Sequence, residues 1–370
     1  MEFETFLLER NQSLYENQVE INLTESGVHP FSLREFLEPD ELQALLDLPL
    51  GYGHTEGTPE LRDAIASWHP GASAENVLVT TGASEANLLA LLASVSAGDE
   101  VVVVLPNFMQ IPGAARALGA DVREVTLSED RGWRIDRETL FRTISPRTKL
   151  IALCNPNNPT GITLNDADRS ALLDACERSG AWLLADEIYR GAELGGRGET
   201  ATFWGANDRI IVTGGLAKSF AHAGLRIGWI IAPQPFLYEC MRRQDYTTIG
   251  SNAVGQFVGT LLLGADRREK VFARNRKILN GNLALLKDWI AARANSVSLV
   301  PPEAGGMAFL NYAQPLNSTE FSRRLRVEEN VFVVAGDWFG LDGRIRVGIG
   351  GDNALLLEGL SRLGRFLDRL

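Results

Sequence analysis

The chain has 370 residues, 45% hydrophobic and 22% charged, enough to bury roughly three quarters of its extended surface in two or three cores. That excludes a small module or a disordered tail. Its 36 Lys and Arg against 47 Asp and Glu give a formal charge of -11, which argues against nucleic-acid binding, because phosphates need a basic stripe.

The first residues, MEFETFLLERNQSLYENQ, carry acids where a signal peptide has a basic region and an apolar run. The longest apolar stretch, LLALLASV, is far short of the roughly 20 residues of a membrane span. Cys154, Cys176 and Cys240 are odd in number and widely spaced, so neither a disulfide framework nor a Cys-rich zinc site is expected. His29, His54, His69 and His222 show no clustered ligand spacing, and no metal is expected. A cytoplasmic protein with no membrane partner is the expectation.

Residues 1–45 lack a complete unit, so they are expected to complete a small domain or to cross a subunit interface. From about Val77 the apolar runs NVLVT, EVVVVLP, TKLIALCN, AWLLAD, RIIVTGG and LRIGWII read as strands. Helix-like segments lie between them: ASEANLLALLASV, one around IPGAARALG, and DADRSALLDACERSG. Runs that are apolar throughout suit strands covered on both faces, which predicts a three-layer αβα domain with a mostly parallel sheet over residues 46–280. Residues 251–290 read as one or two long helices leading out of it. Beyond the break in SLVPPEAGGMAFL come MAFLNY, a helix around STEFSRRLRVEEN, VFVVAG, GRIRVGIG and a final amphipathic helix. These predict a smaller α+β domain over 281–370.

Four segments carry chemistry. In VTTGASEANLLA a strand ends at TTG and a helix starts at or just before Ser84, putting free N–H groups beside Gly82 where a phosphate would fit. CNPNNPTG follows a strand and fixes an extended loop that presents an amide at the strand's carboxyl end. AWLLADEIYR ends a strand on Asp186, with Tyr189 three residues on. A carboxylate there needs a cation or a donor, such as a protonated ring nitrogen. TGGLAKSFAHAGLRIGW holds Lys218 and Arg226 eight residues apart. The lysine suits a Schiff-base nucleophile and the arginine an anion.

Over almost its whole length the chain resembles the fold type I pyridoxal-phosphate enzymes of the class I and II aminotransferase superfamily. The ordered series GYGHTEG, TTGASEA, PNF, NPNNPTG, ADEIY, the Lys218 segment and RIRVGIG carries the resemblance. It implies that Lys218 forms the Schiff base with pyridoxal 5'-phosphate and then shuttles the proton. It also implies that Asp186 pairs with the ring nitrogen, and that Asn158 and Tyr189 bond the phenolic oxygen. Phe108 would stack on the ring. Gly82, Ala83 and Ser84 would form the phosphate corner with Arg226, joined by Tyr52 of the partner subunit, which implies a homodimer. Arg346 would clamp the substrate α-carboxylate, and Gly27 lies in the loop expected to close over substrate.

Two positions depart from the family pattern. Where a serine commonly stands three residues before the lysine, and often another immediately before it, this chain has Gly215 and Ala217. Cofactor anchoring must then rest on Arg226, the helix terminus and backbone donors.

The resemblance implies amino transfer between an α-amino acid and a 2-oxo acid. The same apparatus supports lyase or cyclase chemistry, since both need a Cα carbanion. SGVHPFSLREF, RRQDYTTIGSN and PPEAGGMAFL are similar to stretches in the capreomycidine synthase group, which cyclises a hydroxylated arginine, whereas DEIY is the ordinary aminotransferase form. A catalytically silent binding protein of the same fold is the third reading, against which the intact Lys218 set stands.

Overall fold

The structure is a computed structural model that describes residues 2–370. The described residues form a seven-stranded sheet, a four-stranded sheet and a two-stranded ribbon. In chain order the strands are β1 (Ile21–Asn22), β2 (Val77–Thr80), β3 (Glu100–Leu105), β4 (Asp121–Thr126), β5 (Thr148–Cys154), β6 (Trp182–Asp186), β7 (Ile210–Gly215), β8 (Gly228–Ile231), β9 (Val297–Leu299), β10 (Met307–Tyr312), β11 (Val331–Phe332), β12 (Val334–Ala335) and β13 (Arg344–Gly348). The helices that matter below are α1 (Leu7–Tyr15), α2 (Ala83–Ser94), α3 (Gln110–Ala117), α4 (Asp166–Ser179), α5 (Ala253–Leu263), α6 (Ala265–Ala291), α7 (Ser318–Glu329) and α8 (Asn353–Leu367).

The large sheet runs β2-β8-β7-β6-β5-β3-β4. Only β8 is antiparallel to its neighbours, so the αβα reading of the apolar runs is borne out. Strands β2, β3, β7 and β8 are buried along their whole length, because helices cover both faces. Each crossover helix has its own stop and start signals. In α4, Asn165 and Asp168 form a reciprocal capping box at the start, and Gly180 ends the helix in the left-handed region at φ 69°. The parallel order brings the carboxyl ends of β5, β6 and β7 side by side, where an open α/β sheet forms its crevice.

Strand β4 does not appear among the sequence-predicted runs. It is the sheet edge and needs only one apolar face, so DVREVT hides Val125 among polar residues. Its Arg123 instead reaches the buried Glu100 at 2.9 Å.

The second sheet, β12-β13-β10-β9, is antiparallel. The run VFVVAG divides at Val333. Its first half pairs in parallel with β1 near the amino terminus, and its second half pairs with β13. Ile21 and Leu23 therefore share a core with Leu310, Val347 and Leu360. Between the two sheets run α5 and the 27-residue α6. No helix among the described residues is long and apolar enough to cross a membrane.

Candidate active site

A cavity of about 280 Å³ lies at the carboxyl ends of β5 and β6, closed on one side by β13 of the small sheet and on another by α1. Asp186 ends β6 and is 3% exposed. Its Oδ2 accepts from Asn87 Nδ2 at 2.9 Å and its Oδ1 from the Ile188 N–H at 3.1 Å. Burial pushes its carboxyl up to about 6, against the pull of those two donors. One turn later the buried Tyr189 hydroxyl pairs with Ser26 Oγ at 2.8 Å, and burial raises it to about 12.

The NPNNPTG loop divides its asparagines by task. Asn155 Oδ1 accepts from Leu164 N–H at 2.9 Å, and Asn157 Nδ2 donates to Pro106 O at 2.9 Å, so both staple the loop. Asn158 alone lines the cavity, where its Oδ1 accepts from Arg346 Nη1 at 2.7 Å. Arg346, on β13, is 2% exposed and also donates from Nη2 to Thr24 O at 2.6 Å, while its Nε has no partner. Burial lowers its pKa against the charges of Tyr189, Glu25 and Glu9. Arg344, two residues away, pairs outside the cavity with Glu129 at 2.7 Å.

Lys218 follows β7. Its Nζ donates to Glu25 Oε1 at 2.6 Å, an oxygen that also accepts the Ser26 and Gly27 N–H groups at 2.9 Å each. Burial alone would depress the lysine; the Glu25 carboxylate, with Tyr189, outweighs it and the net shift is upward. The Lys218 ammonium in turn holds the Glu25 carboxyl down at about 2. Gly27 is packed tightly here, since a Cβ would meet Lys218 Cδ at 3.4 Å and Ala217 O at 3.3 Å.

Gly82 caps α2 with φ 82°, and the first turn of α2, whose Ala83 and Ser84 line the cavity, has free N–H groups. Any side chain at position 82 would strike the Arg226 guanidinium, and one at Gly228 would strike the backbone of Gly82 and Ala83. The missing serine at 215 has a steric cause: a Cβ there would lie 2.9 Å from Ile227 O and 3.2 Å from Ile188 Cδ1. Phe108 forms a wall, edge-on to Phe6 at 5.0 Å.

Of the residues singled out in the sequence, Ala83, Ser84, Phe108, Asn158, Asp186, Tyr189, Lys218, Arg226 and Arg346 line this one cavity. Tyr52 does not. It is 96% exposed, in a separate apolar groove with Leu48, Phe257 and Leu261. Sequence reasoning missed Asn87, Ser26 and Glu25, and the whole of α1, which contributes Glu9, Gln12 and Ser13 and is followed by its C-cap Glu16. The only available signal was the acidic spacing of LLERNQSLYE.

The donor set fits a flat, phosphorylated pyridine aldehyde. A buried carboxylate suits a protonated ring nitrogen, the Gly82 corner with Arg226 suits a phosphate, and Lys218 brings an amine to the same cavity for the aldehyde.

The family model for aminotransferase class I and II matches residues 47–363. Capreomycidine synthase of Streptomyces vinaceus is 29% identical over 95% of this chain and 90% of its own length. The arginine–pyruvate transaminase of Pseudomonas aeruginosa is 30% identical over 83% of this chain and 81% of its own. Among solved structures, a PLP-dependent aminotransferase from Streptococcus suis superposes with TM-score 0.94 at 30% identity, covering 100% of this chain and 99% of that one. The PLP-dependent cyclase OrfR superposes with TM-score 0.89 at 28% identity, covering 100% and 98%.

Proposed function

The chain belongs to the class I and II aminotransferase family and is a pyridoxal-phosphate-dependent aminotransferase; we propose that Lys218 carries its chemistry and that its amino donor has a basic side chain. The observation that supports this most is the meeting of Lys218, Asp186, Asn158, Tyr189 and Arg346 in one cavity, with Glu9, Glu16 and Glu25 on its other wall.

When bound, pyridoxal phosphate supplies an aldehyde that condenses with amines and a ring that accepts the electron pair left at Cα. Asp186 would keep a proton on the ring nitrogen. Asn158 and Tyr189 would hold the phenolic oxygen, Phe108 would cover the ring face, and Gly82, Ala83, Ser84 and Arg226 would hold the phosphate. Lys218 Nζ would move the proton at the substrate Cα. Arg346 would receive the substrate carboxylate beside Gly27.

The acids of the far wall give the donor preference. A cationic side chain lying against Glu9 and Glu16 is attracted, whereas the carboxylate of aspartate is repelled. The relative that acts on arginine supports the same reading. Exposed Tyr52 beside an apolar groove supports a homodimer in which Tyr52 of the partner subunit reaches the phosphate. Divisions near residues 45 and 280, with α6 running across the second, and a cytoplasmic setting with three buried free cysteines complete the proposal.

A donor panel with a 2-oxo acid acceptor tests it. Arginine and ornithine should outrun aspartate in kcat/KM, and aspartate outrunning both would refute the preference. A second reading, cyclisation of a functionalised basic amino acid, is favoured by the resemblance to capreomycidine synthase and OrfR. It predicts product without stoichiometric consumption of 2-oxo acid.

A further inference from the structure

Asp186 is engaged by a polar pair that the family motifs do not include, Asn87 and, behind it, Thr213. Asn87 lies one turn into α2, beyond the Gly82 corner, and is 1% exposed among Ala86, Leu89, Ala90 and Leu91. An amide in such apolar surroundings is costly unless its hydrogen bonds are made. Each end of the amide makes one: Nδ2 donates to Asp186 Oδ2 at 2.9 Å, and Oδ1 accepts from Thr213 Oγ1 at 2.6 Å. Thr213 is fully buried on β7, directly across the ladder from Asp186.

We propose that Asn87 is a positioning residue for Asp186, with Thr213 fixing its amide so that the N–H end faces the carboxylate that binds the cofactor ring nitrogen. The inference rests on the cofactor reading and goes beyond it. The two ends of an asparagine amide are nearly equal in size, so its orientation is set by its partners. A hydroxyl donating to Oδ1 leaves only Nδ2 for Asp186. Asn87 on one oxygen and the Ile188 N–H on the other hold the carboxylate in plane and favour its ionised form. Its remaining lone pairs are left for the ring.

The test uses the full-length chain freed of cofactor and titrated with two probes, pyridoxal 5'-phosphate and its 1-deaza analogue, in which C–H replaces the ring nitrogen. Asn87→Leu should weaken pyridoxal phosphate binding about tenfold and leave the deaza analogue within about twofold of wild type, the loss expected for one hydrogen bond to a charged group. Asn87→Asp, which sets a second acceptor against Asp186, should be worse than Asn87→Leu for the first probe alone. Should Asn87→Leu fail to fold, Thr213→Val carries the same selective loss at about threefold, restored by Thr213→Ser. Parallel weakening of both probes would make Asn87 a packing residue, and no change in either would make it idle; both results overturn the proposal. A wild-type chain that bound neither probe would overturn the cofactor reading itself, whereas one that bound both equally would remove the contact between Asp186 and the ring.

Discussion

The two walls of the cavity are built in different ways. The inner wall comes from the ends of β5, β6 and β7 and from β13; Asp186, Tyr189, Asn158 and Arg346 are all buried on it. Each is held by at least one hydrogen bond from a neighbouring element. The outer wall is the amino-terminal segment, α1 and Thr24–Gly27, where α1 buries only Leu8 and Glu9 and Glu25 remain open. Buried strand ends fix groups in space, as bond making requires. A thinly packed helix such as α1 can exchange its side chains with little cost to the core, which suits the choice of substrate.

Changes to the inner wall should therefore strike every substrate alike. Lys218→Ala should lower kcat about 10⁴-fold for all donors, the upper end for loss of a positioned proton carrier. A tenfold loss limited to one donor class would move the chemistry elsewhere.

Asp186 should reveal its burial through pH. Its carboxyl is raised to about 6, so folding favours the neutral form, and stability is lost as pH rises from the ordinary carboxylate range through about 6. Asp186→Asn does not titrate. Without cofactor, the stability of Asp186→Asn relative to wild type should rise by about 2 kcal/mol between about pH 4 and about pH 7, read from urea unfolding. A pH-independent difference would mean that the carboxyl is not desolvated.

The outer wall should give the smallest and most selective effect. Glu9→Gln combined with Glu16→Gln should lower kcat/KM for arginine about fivefold, mainly through KM, and leave valine unchanged, as expected for partly solvated charge pairs. Equal losses for both donors would assign these residues to folding instead.

The same contrast explains what the sequence revealed. The inner wall was legible because buried parallel strands are continuous apolar runs, and the polar residues that end or follow them, Asp186 at the end of β6 and Asn158 in the loop after β5, stand out against them. Asn87 was invisible. It lies within ANLLALL, and only the register that sets Thr213 beside Asp186 gives it a purpose. Strand β4 was hidden by edge polarity, and α1 by its lack of an apolar face. Tyr52 was readable as a motif residue but not as a neighbour, because its proposed partner lies on another chain.

The central claim, amino transfer at Lys218, is tested most directly by a half-reaction. The holoenzyme, mixed with an amino donor and no 2-oxo acid, should release one equivalent of 2-oxo acid per active site as the visible spectrum shifts to that of the amine form of the cofactor. Borohydride reduction before the donor is added should fix the cofactor on Lys218 in the peptide map. A spectrum unchanged by every donor, or turnover to a cyclised or dehydrated product with no 2-oxo acid released, would contradict it.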